Sequence, residues 1–543
     1  MLSLAGGIVF GVLRTPASVR AGREFGRAWE RGDLGGMYAL LTDDAKHRTG
    51  RAAFRAAYRR DAATATLRKI SVLRVRGRGD GAELSVAAST RAFGTIRKPL
   101  DLPIVDGKVA WAAYMTFPGK PPGARLSRQT RAPQRASILA HDGRAIATGP
   151  SSARLQPGVA AQSVAGALGQ PQSKVERDAL KVRGFPPGTL VGTSGLERIA
   201  ETRVAGTPGG QLFAGGRVLA STKPKRAEPV RTTIDLDIQQ AAVTALAGRF
   251  GGAAALDART GAVRALAGIA FSGPQPPGST FKIITASAAL AAKLVRLRSS
   301  FPVETKAVID GVDLENANGE SCGGTFAESF AHSCNSVFAP LGVRIGARRL
   351  VAQAERFGWN RRVSIPGALP STIPPANQIT SPLAVGSTAI GQGKVLATPL
   401  QMASVAQAIS QNGVMTLPRV FPDQEPVRKR VVSRRVAHQL ERLMIDVVAY
   451  GTGTSASLAP VKVAGKTGTA ELTTTVKREG ETPPLEEGVD AKPPGYDTDA
   501  WFTAYAPVRR PRLAACVLIV HGGAGGTTAA PAARGMLQAG LRG

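Results

Sequence analysis

Three short stretches hold side chains that can carry out covalent chemistry together. The first is Pro276-Pro277-Gly278-Ser279-Thr280-Phe281-Lys282, which opens the apolar run Ile283-Ile284-Thr285-Ala286. The prolines and Gly278 stop whatever precedes, and the run behind them reads as a buried helix. Ser279 is then expected at a helix N-terminus, where unpaired backbone N–H groups and the macrodipole favour developing negative charge. Lys282 follows one turn later, on the same face. A serine needs a base to become a nucleophile, and a desolvated neutral lysine can serve. Alone, Ser-x-x-Lys arises by chance, and an N-cap followed by a surface lysine gives the same pattern. The second stretch is Ser333-Cys334-Asn335, ahead of Val337-Phe338-Ala339. The third is Lys466-Thr467-Gly468-Thr469, inside a strand expected over 461–472. Glycines weaken a strand and mark close approach of another backbone. Gly465 and Gly468 are therefore expected to let a peptide lie alongside as an added strand, with Lys466 and the Thr467 and Thr469 hydroxyls holding a carboxylate.

The elements that must position these residues follow from periodicity and turn chemistry. Asp235 is expected to cap a helix running to about Leu246. Strands over 252–256 and 263–266, turned at Thr260-Gly261, precede the Ser279 helix. Helices are expected over 326–341, 350–357 and 399–411, strands over 461–472, 500–506 and 513–520, and a closing helix over 529–541. Between Lys466 and Trp501, residues 473–499 are polar with four prolines, long for a connection between sheet neighbours. They are expected either to overhang the cleft or to form a solvated excursion. Upstream, 18–117 reads as helices (19–29, from 37, 52–58) followed by strands (67–75, 82–88, 109–117), with Asp106-Gly107 a hairpin turn. Pro118 to Gly123 is a linker signal. Residues 135–147 read as strand, turn, strand, and the span 124–230 shows no catalytic constellation.

Composition narrows the classes. A chain of 543 residues has length for two to four domains, and 43% hydrophobic content makes it globular. A net charge of +32 raises the prospect of nucleic acid. The basic residues are mostly scattered arginines, however, and 5% aromatics leaves little for stacking on bases. An anionic envelope or membrane surface fits that charge better. The five histidines have no ligand spacing and no Cys-x-x-Cys occurs, so neither metal nor cofactor is expected. Cys322 and Cys334 are read as a disulfide in an extracytoplasmic domain or as two buried thiols, and Cys516 as core. The apolar run 2–13 is shorter than the ~20 residues a bilayer span needs. It reads as a buried helix start, a peripheral segment or the end of a membrane anchor, the last being preferred.

Ser-x-x-Lys, Ser-x-Asn and Lys-Thr-Gly, in this order and spacing, form the signature of serine penicillin-recognising enzymes. The chain resembles class B penicillin-binding proteins over 231–543. The Gly192-Thr-Ser-Gly195-Leu196-Glu197 and Gly206-Thr-Pro-Gly209-Gly210 stretches resemble their pedestal domain. The run from Phe25 and Trp29 through Gly32-Asp33, Met37 and Leu40 resembles the NTF2-like domain of methicillin-resistance-type members. The implied organisation is multidomain α+β: a possible truncated anchor (1–17), an NTF2-like cone (18–118), a pedestal (124–230) and an α/β/α transpeptidase domain with an antiparallel sheet (231–543).

The resemblance implies a peptidoglycan D,D-transpeptidase. Ser279 attacks a D-Ala-D-Ala stem peptide, Lys282 takes its proton, Ser333 and Lys466 return a proton to the leaving D-alanine, and Asn335 positions peptide and lysine. The Ser279 and Thr469 N–H groups form the oxyanion hole, and Thr467 and Thr469 hold the carboxylate beside Gly468. β-Lactams are expected to acylate Ser279, and a membrane glycan polymerase to be the partner, since no glycosyltransferase domain is visible. The chemically adjacent alternatives are a D,D-carboxypeptidase and a β-lactam hydrolase or sensor. A non-catalytic cell-wall scaffold is the alternative from another class.

Overall fold

The runs Gly251–Asp257, Thr498–Ala506 and Leu513–Ile519 bury nearly every side chain, on both faces of the pleat. Such strands need a layer on each side of their sheet. The computed structural model describes residues 15–471 and 498–542 and supplies both layers. The three runs are the centre of a five-stranded antiparallel sheet in the order Val263–Gly268, Gly251–Asp257, Leu513–Ile519, Thr498–Ala506, Ala464–Glu471. On one face, helices Leu236–Leu246 and Ala529–Arg542 contribute Ala242, Leu246, Ala533, Met536 and Leu537 to a core shared with Ala253, Phe502 and Val517. On the other face lies Pro399–Ser410, where the Thr503 hydroxyl donates to the Met402 carbonyl at 2.8 Å. The helix Lys282–Ala291 is buried along nearly its whole length. Asp235 caps Leu236–Leu246 as expected, its carboxylate accepting from the Asp237 and Ile238 N–H groups.

The described chain divides into two compact units. One comprises residues 15–136, 169–191 and 202–228; the other comprises 137–168, 192–201 and 229–542 and contains the five-stranded sheet. The span 124–230 therefore contributes to both.

The first unit sets helices Ala17–Glu30, Leu34–Ala39, Asp43–Arg48 and Arg51–Thr64 against the antiparallel sheet Leu67–Arg78, Gly81–Thr90, Thr95–Leu102. Phe25, Trp29, Met37, Phe54, Tyr58 and Trp111 fill the space between them. Its third strand differs from expectation. It is Thr95–Leu102, which carries Pro99 and is tolerated because it is an edge strand. The expected strand 109–117 instead supplies only Lys108–Val109, paired across the Asp106-Gly107 turn, and the 3₁₀ turn Ala113–Thr116. Buried Lys120, from the linker signal, donates to Asp61 Oδ2 at 2.5 Å, Thr116 Oγ1 at 3.0 Å and the Ala113 carbonyl at 3.0 Å.

Among the described residues no helix is long and apolar enough to cross a membrane. The apolar run 2–13 lies outside them, as does the 473–499 connection apart from its last two residues.

Candidate active site

Ser279 lies in the 3₁₀ turn Gly278–Phe281, which leads directly into the helix beginning at Lys282. Gly278 is required there twice over. Its φ is +49°, and a Cβ would come within 2.7 Å of the Thr469 carbonyl oxygen. Its N–H donates to the Gly391 carbonyl at 3.0 Å, and the Thr280 hydroxyl closes the turn onto the Pro277 carbonyl at 2.7 Å. The turn is thus pressed against the Lys466 strand from one side and anchored by the Gly391 loop from the other. Ser279 itself is half-buried.

The single helix expected over 326–341 is two helices, Phe326–Ala331 and Asn335–Ile345, with Ser333 between them at φ +63°. A non-glycine residue in the left-handed region is held there only by its surroundings. The surroundings are the two lysines. Lys282 Nζ donates to the Ser333 carbonyl at 2.5 Å and to Asn335 Oδ1 at 2.7 Å, and lies 3.3 Å from Ser333 Oγ. Lys466 Nζ donates to Ser333 Oγ at 2.9 Å and to the Thr467 carbonyl at 3.0 Å. Asn335 Nδ2 donates to the Glu315 carbonyl at 2.7 Å, which fixes the amide so that its oxygen faces Lys282. Cys334, between Ser333 and Asn335, is disulfide-bonded to Cys322, resolving the choice the sequence left open.

Both lysines are fully buried. Burial, reinforced by the charge of Lys466, holds Lys282 well below an ordinary lysine pKa. Burial brings Lys466 down to about 7. The Phe338 ring centroid lies 5.5 Å from Lys282 Nζ and that of Phe330 lies 5.6 Å from Lys466 Nζ. A neutral Lys282 has two N–H bonds, and the Ser333 carbonyl and Asn335 amide oxygen accept both. Its lone pair is then left to receive a proton from a neighbouring hydroxyl.

The strand Ala464–Glu471 is an edge of the sheet, pairing with Thr498–Ala506 on one side. An extended peptide can add to such an edge. The two strand glycines have a different reason from the one expected. A Cβ on Gly468 would lie 2.9 Å from both the Pro277 carbonyl oxygen and Thr280 Cγ2, and one on Gly465 would lie 2.5 Å from the Phe502 ring. They make room for the protein's own Ser279 turn and neighbouring strand. The Thr469 hydroxyl accepts from the Gly525 N–H at 3.3 Å, and the Thr467 hydroxyl lies 2.5 Å from that of Thr452. Sequence reasoning missed Thr452 and Gly525. Their signals were the runs Gly451-Thr452-Gly453-Thr454 and Gly522-Gly523-Ala524-Gly525-Gly526, each marking a tight backbone passage.

Ser279, Lys282, Ser333, Asn335 and Lys466 to Thr469 thus come together from three separate segments, with two buried lysines of lowered pKa around the Ser333 hydroxyl. Residues 251–538 match the family model for the penicillin binding protein transpeptidase domain, more than half of the chain. The chain belongs to this family. It is 34% identical over 302 residues to the peptidoglycan D,D-transpeptidase PbpA of Mycolicibacterium smegmatis, covering 50% of this chain and 56% of that one. The Mycobacterium tuberculosis PbpA is likewise 34% identical, over 303 residues. The chain spans about half the length of these curated relatives. The crystal structure of PBPA from M. tuberculosis matches with a TM-score of 0.58 and 26% identity, over 75% of this chain and 99% of that one. The structure of that protein as a penicillin G acyl-enzyme complex matches with a TM-score of 0.58 and 27% identity, over the same shares of the two chains.

Proposed function

We propose that the protein is a class B peptidoglycan D,D-transpeptidase that works through an acyl-enzyme on Ser279. The observation that carries this reading is the buried, charge-depressed Lys282 held by Ser333 and Asn335 beside a second buried lysine. Ser279 Oγ attacks the penultimate D-alanine carbonyl of a stem peptide while its proton passes to Lys282. The Ser279 and Thr469 N–H groups stabilise the oxyanion, and Thr467 and Thr469 hold the terminal carboxylate. As the C–N bond breaks, a proton supplied through Lys466 and Ser333 goes to the departing D-alanine amine. A second peptide's amine then attacks the ester carbonyl, forms the cross-link and frees Ser279. A β-lactam enters as donor mimic, and its opened ring stays on the serine.

The wider reading goes with it. The α+β body of 18–118 is an NTF2-like spacer, 124–230 a pedestal and 231–543 the catalytic domain. The site works outside the cytoplasm, with an N-terminal anchor in the plasma membrane and a membrane glycan polymerase as partner.

Intact mass after incubation with penicillin G tests the core of this reading. One penicilloyl adduct is expected, absent from Ser279→Ala and persisting for hours. Rapid loss of the adduct would identify a hydrolase. No adduct, together with no D-alanine release from a pentapeptide, would leave a scaffold.

A further inference from the structure

Thr467 can hold a carboxylate only if its hydroxyl proton points outward to it, and its neighbour decides whether it does. The Thr467 hydroxyl is 2.5 Å from the hydroxyl of Thr452, which is 3.3 Å from the Ala331 carbonyl. The Ala331 carbonyl also accepts the Thr452 N–H at 3.1 Å, so it is satisfied without the hydroxyl. Ala331 ends the helix Phe326–Ala331, two residues before Ser333. The Gly451-Thr452 backbone is seated closely on that helix end, since a Cβ on Gly451 would come within 2.4 Å of the Ala331 oxygen. The distance between the two hydroxyls is therefore set by backbone on both sides.

Lys466 Nζ donates to the Thr467 hydroxyl oxygen at 3.5 Å in either case, and the two hydroxyl protons then allow two arrangements. In one, Thr467 donates to Thr452 and Thr452 donates to the Ala331 carbonyl. Thr467 then offers only lone pairs to the cleft, which repel a carboxylate. In the other, Thr452 donates to Thr467 and Thr467 donates outward, while the Ala331 carbonyl keeps the Thr452 N–H. An anionic acceptor selects the second arrangement, because a charge-assisted bond is about twice as strong as a neutral one and the two bonds in the chain polarise each other. Switching rotates two hydroxyls and leaves no buried polar atom unpaired.

We propose that Thr452 is a positioning residue that turns the Thr467 hydroxyl toward the donor's carboxylate, so that the site reads the charge of that group through a two-hydroxyl relay. This rests on the reading of the site as a penicillin-acylated transpeptidase centre. Thr452 touches no reacting atom and acts through Thr467.

The test combines a substitution with a change of probe. Second-order acylation rates are measured for penicillin G and for penicillin G methyl ester, with wild type, Thr452→Val and Thr452→Ser. Thr452→Val keeps the side-chain shape and deletes the hydroxyl. It is expected to slow acylation by penicillin G about fivefold, the effect of losing the one neutral hydroxyl bond that polarises the Thr467 donor, and to leave the ester rate within about twofold. Thr452→Ser restores the penicillin G rate. Equal slowing of both probes would assign Thr452 a packing role only, and an unchanged penicillin G rate would remove it from the mechanism; either overturns the relay. Absence of any penicilloyl adduct on wild-type Ser279 would instead overturn the transpeptidase reading and the relay with it.

Discussion

Ser333 Oγ is shared by two buried amines whose charge the fold opposes, and this sets how the folded protein responds to pH. Lys466 titrates at about 7 in the folded chain because burial opposes its charge, whereas an unfolded lysine titrates near ~10.4. Between these values the unfolded state carries a proton that the folded state lacks. Stability must therefore rise with pH across that window and level off below about 7. Lys282 shifts in the same direction. Lys466→Met deletes one of these groups. Urea midpoints of wild type and variant are expected to diverge in favour of wild type as pH rises from 7 to 9.5. A constant gap would mean that Lys466 stays charged in the fold.

At the scale of the element, the Ser279 turn and the Lys466 strand locate each other through a missing side chain. Gly468→Ala would drive a methyl into the Pro277 carbonyl and Thr280. The displaced turn should lower the acylation rate by on the order of a hundredfold, the cost of about an ångström of misplacement. Gly535, on the exposed face of Ala529–Arg542, is the control. A Cβ there meets nothing within 4 Å, so Gly535→Ala should keep full acylation and raise stability by about 0.5–1 kcal/mol. Similar losses in both variants would show that the effect is not local. Elements were legible where composition forced them. The all-apolar strands around Cys516, the Asp235 cap and the Pro-Pro-Gly turn left no alternative. What escaped was decided by tertiary contact. The left-handed Ser333 that splits the expected helix is stabilised by lysines 51 and 133 positions away. The helix Arg434–Ala449 buries Val436, Leu440, Leu443 and Val447 at helical spacing, an apolar face that carries no chemistry-bearing residue to mark it. Thr452 follows that helix by three residues, in a turn placed by the contact of Gly451 with the Ala331 carbonyl.

Across the whole molecule, two units with separate hydrophobic interiors should be separable in their response to change. The Lys120–Asp61 pair lies inside the first unit, with both side chains at most 3% exposed. Lys120→Met removes the buried cation of Asp61, which keeps the Thr116 hydroxyl and the exposed Arg60 at 3.5 Å, and breaking such a pair costs about 3–5 kcal/mol. Scanning calorimetry is expected to resolve two transitions, with Lys120→Met lowering only one of them. Penicillin bound at Ser279 should raise only the other, which belongs to the unit containing the five-stranded sheet. A single transition displaced by both treatments would mean that the units unfold as one. The three sequence motifs all fall in the second unit, which also takes in 137–168 and 192–201 from the span read as a pedestal. Its boundary with the first was not readable, because 124–230 is threaded through both and no local composition marks where the chain changes allegiance.

The bond from Cys322 to Cys334 fastens the strand Cys322–Thr325 to the middle of the Ser333-Cys334-Asn335 triplet. Sample history thereby becomes part of the molecule's chemistry. Chain made in a reducing cytoplasm, or purified in dithiothreitol, carries two thiols there instead of a tether, one of them between the two residues that hold Lys282. A preparation of uniform sequence and mass to within two hydrogens can hold both species, and a count of penicillin-reactive molecules becomes interpretable only alongside a count of free thiols.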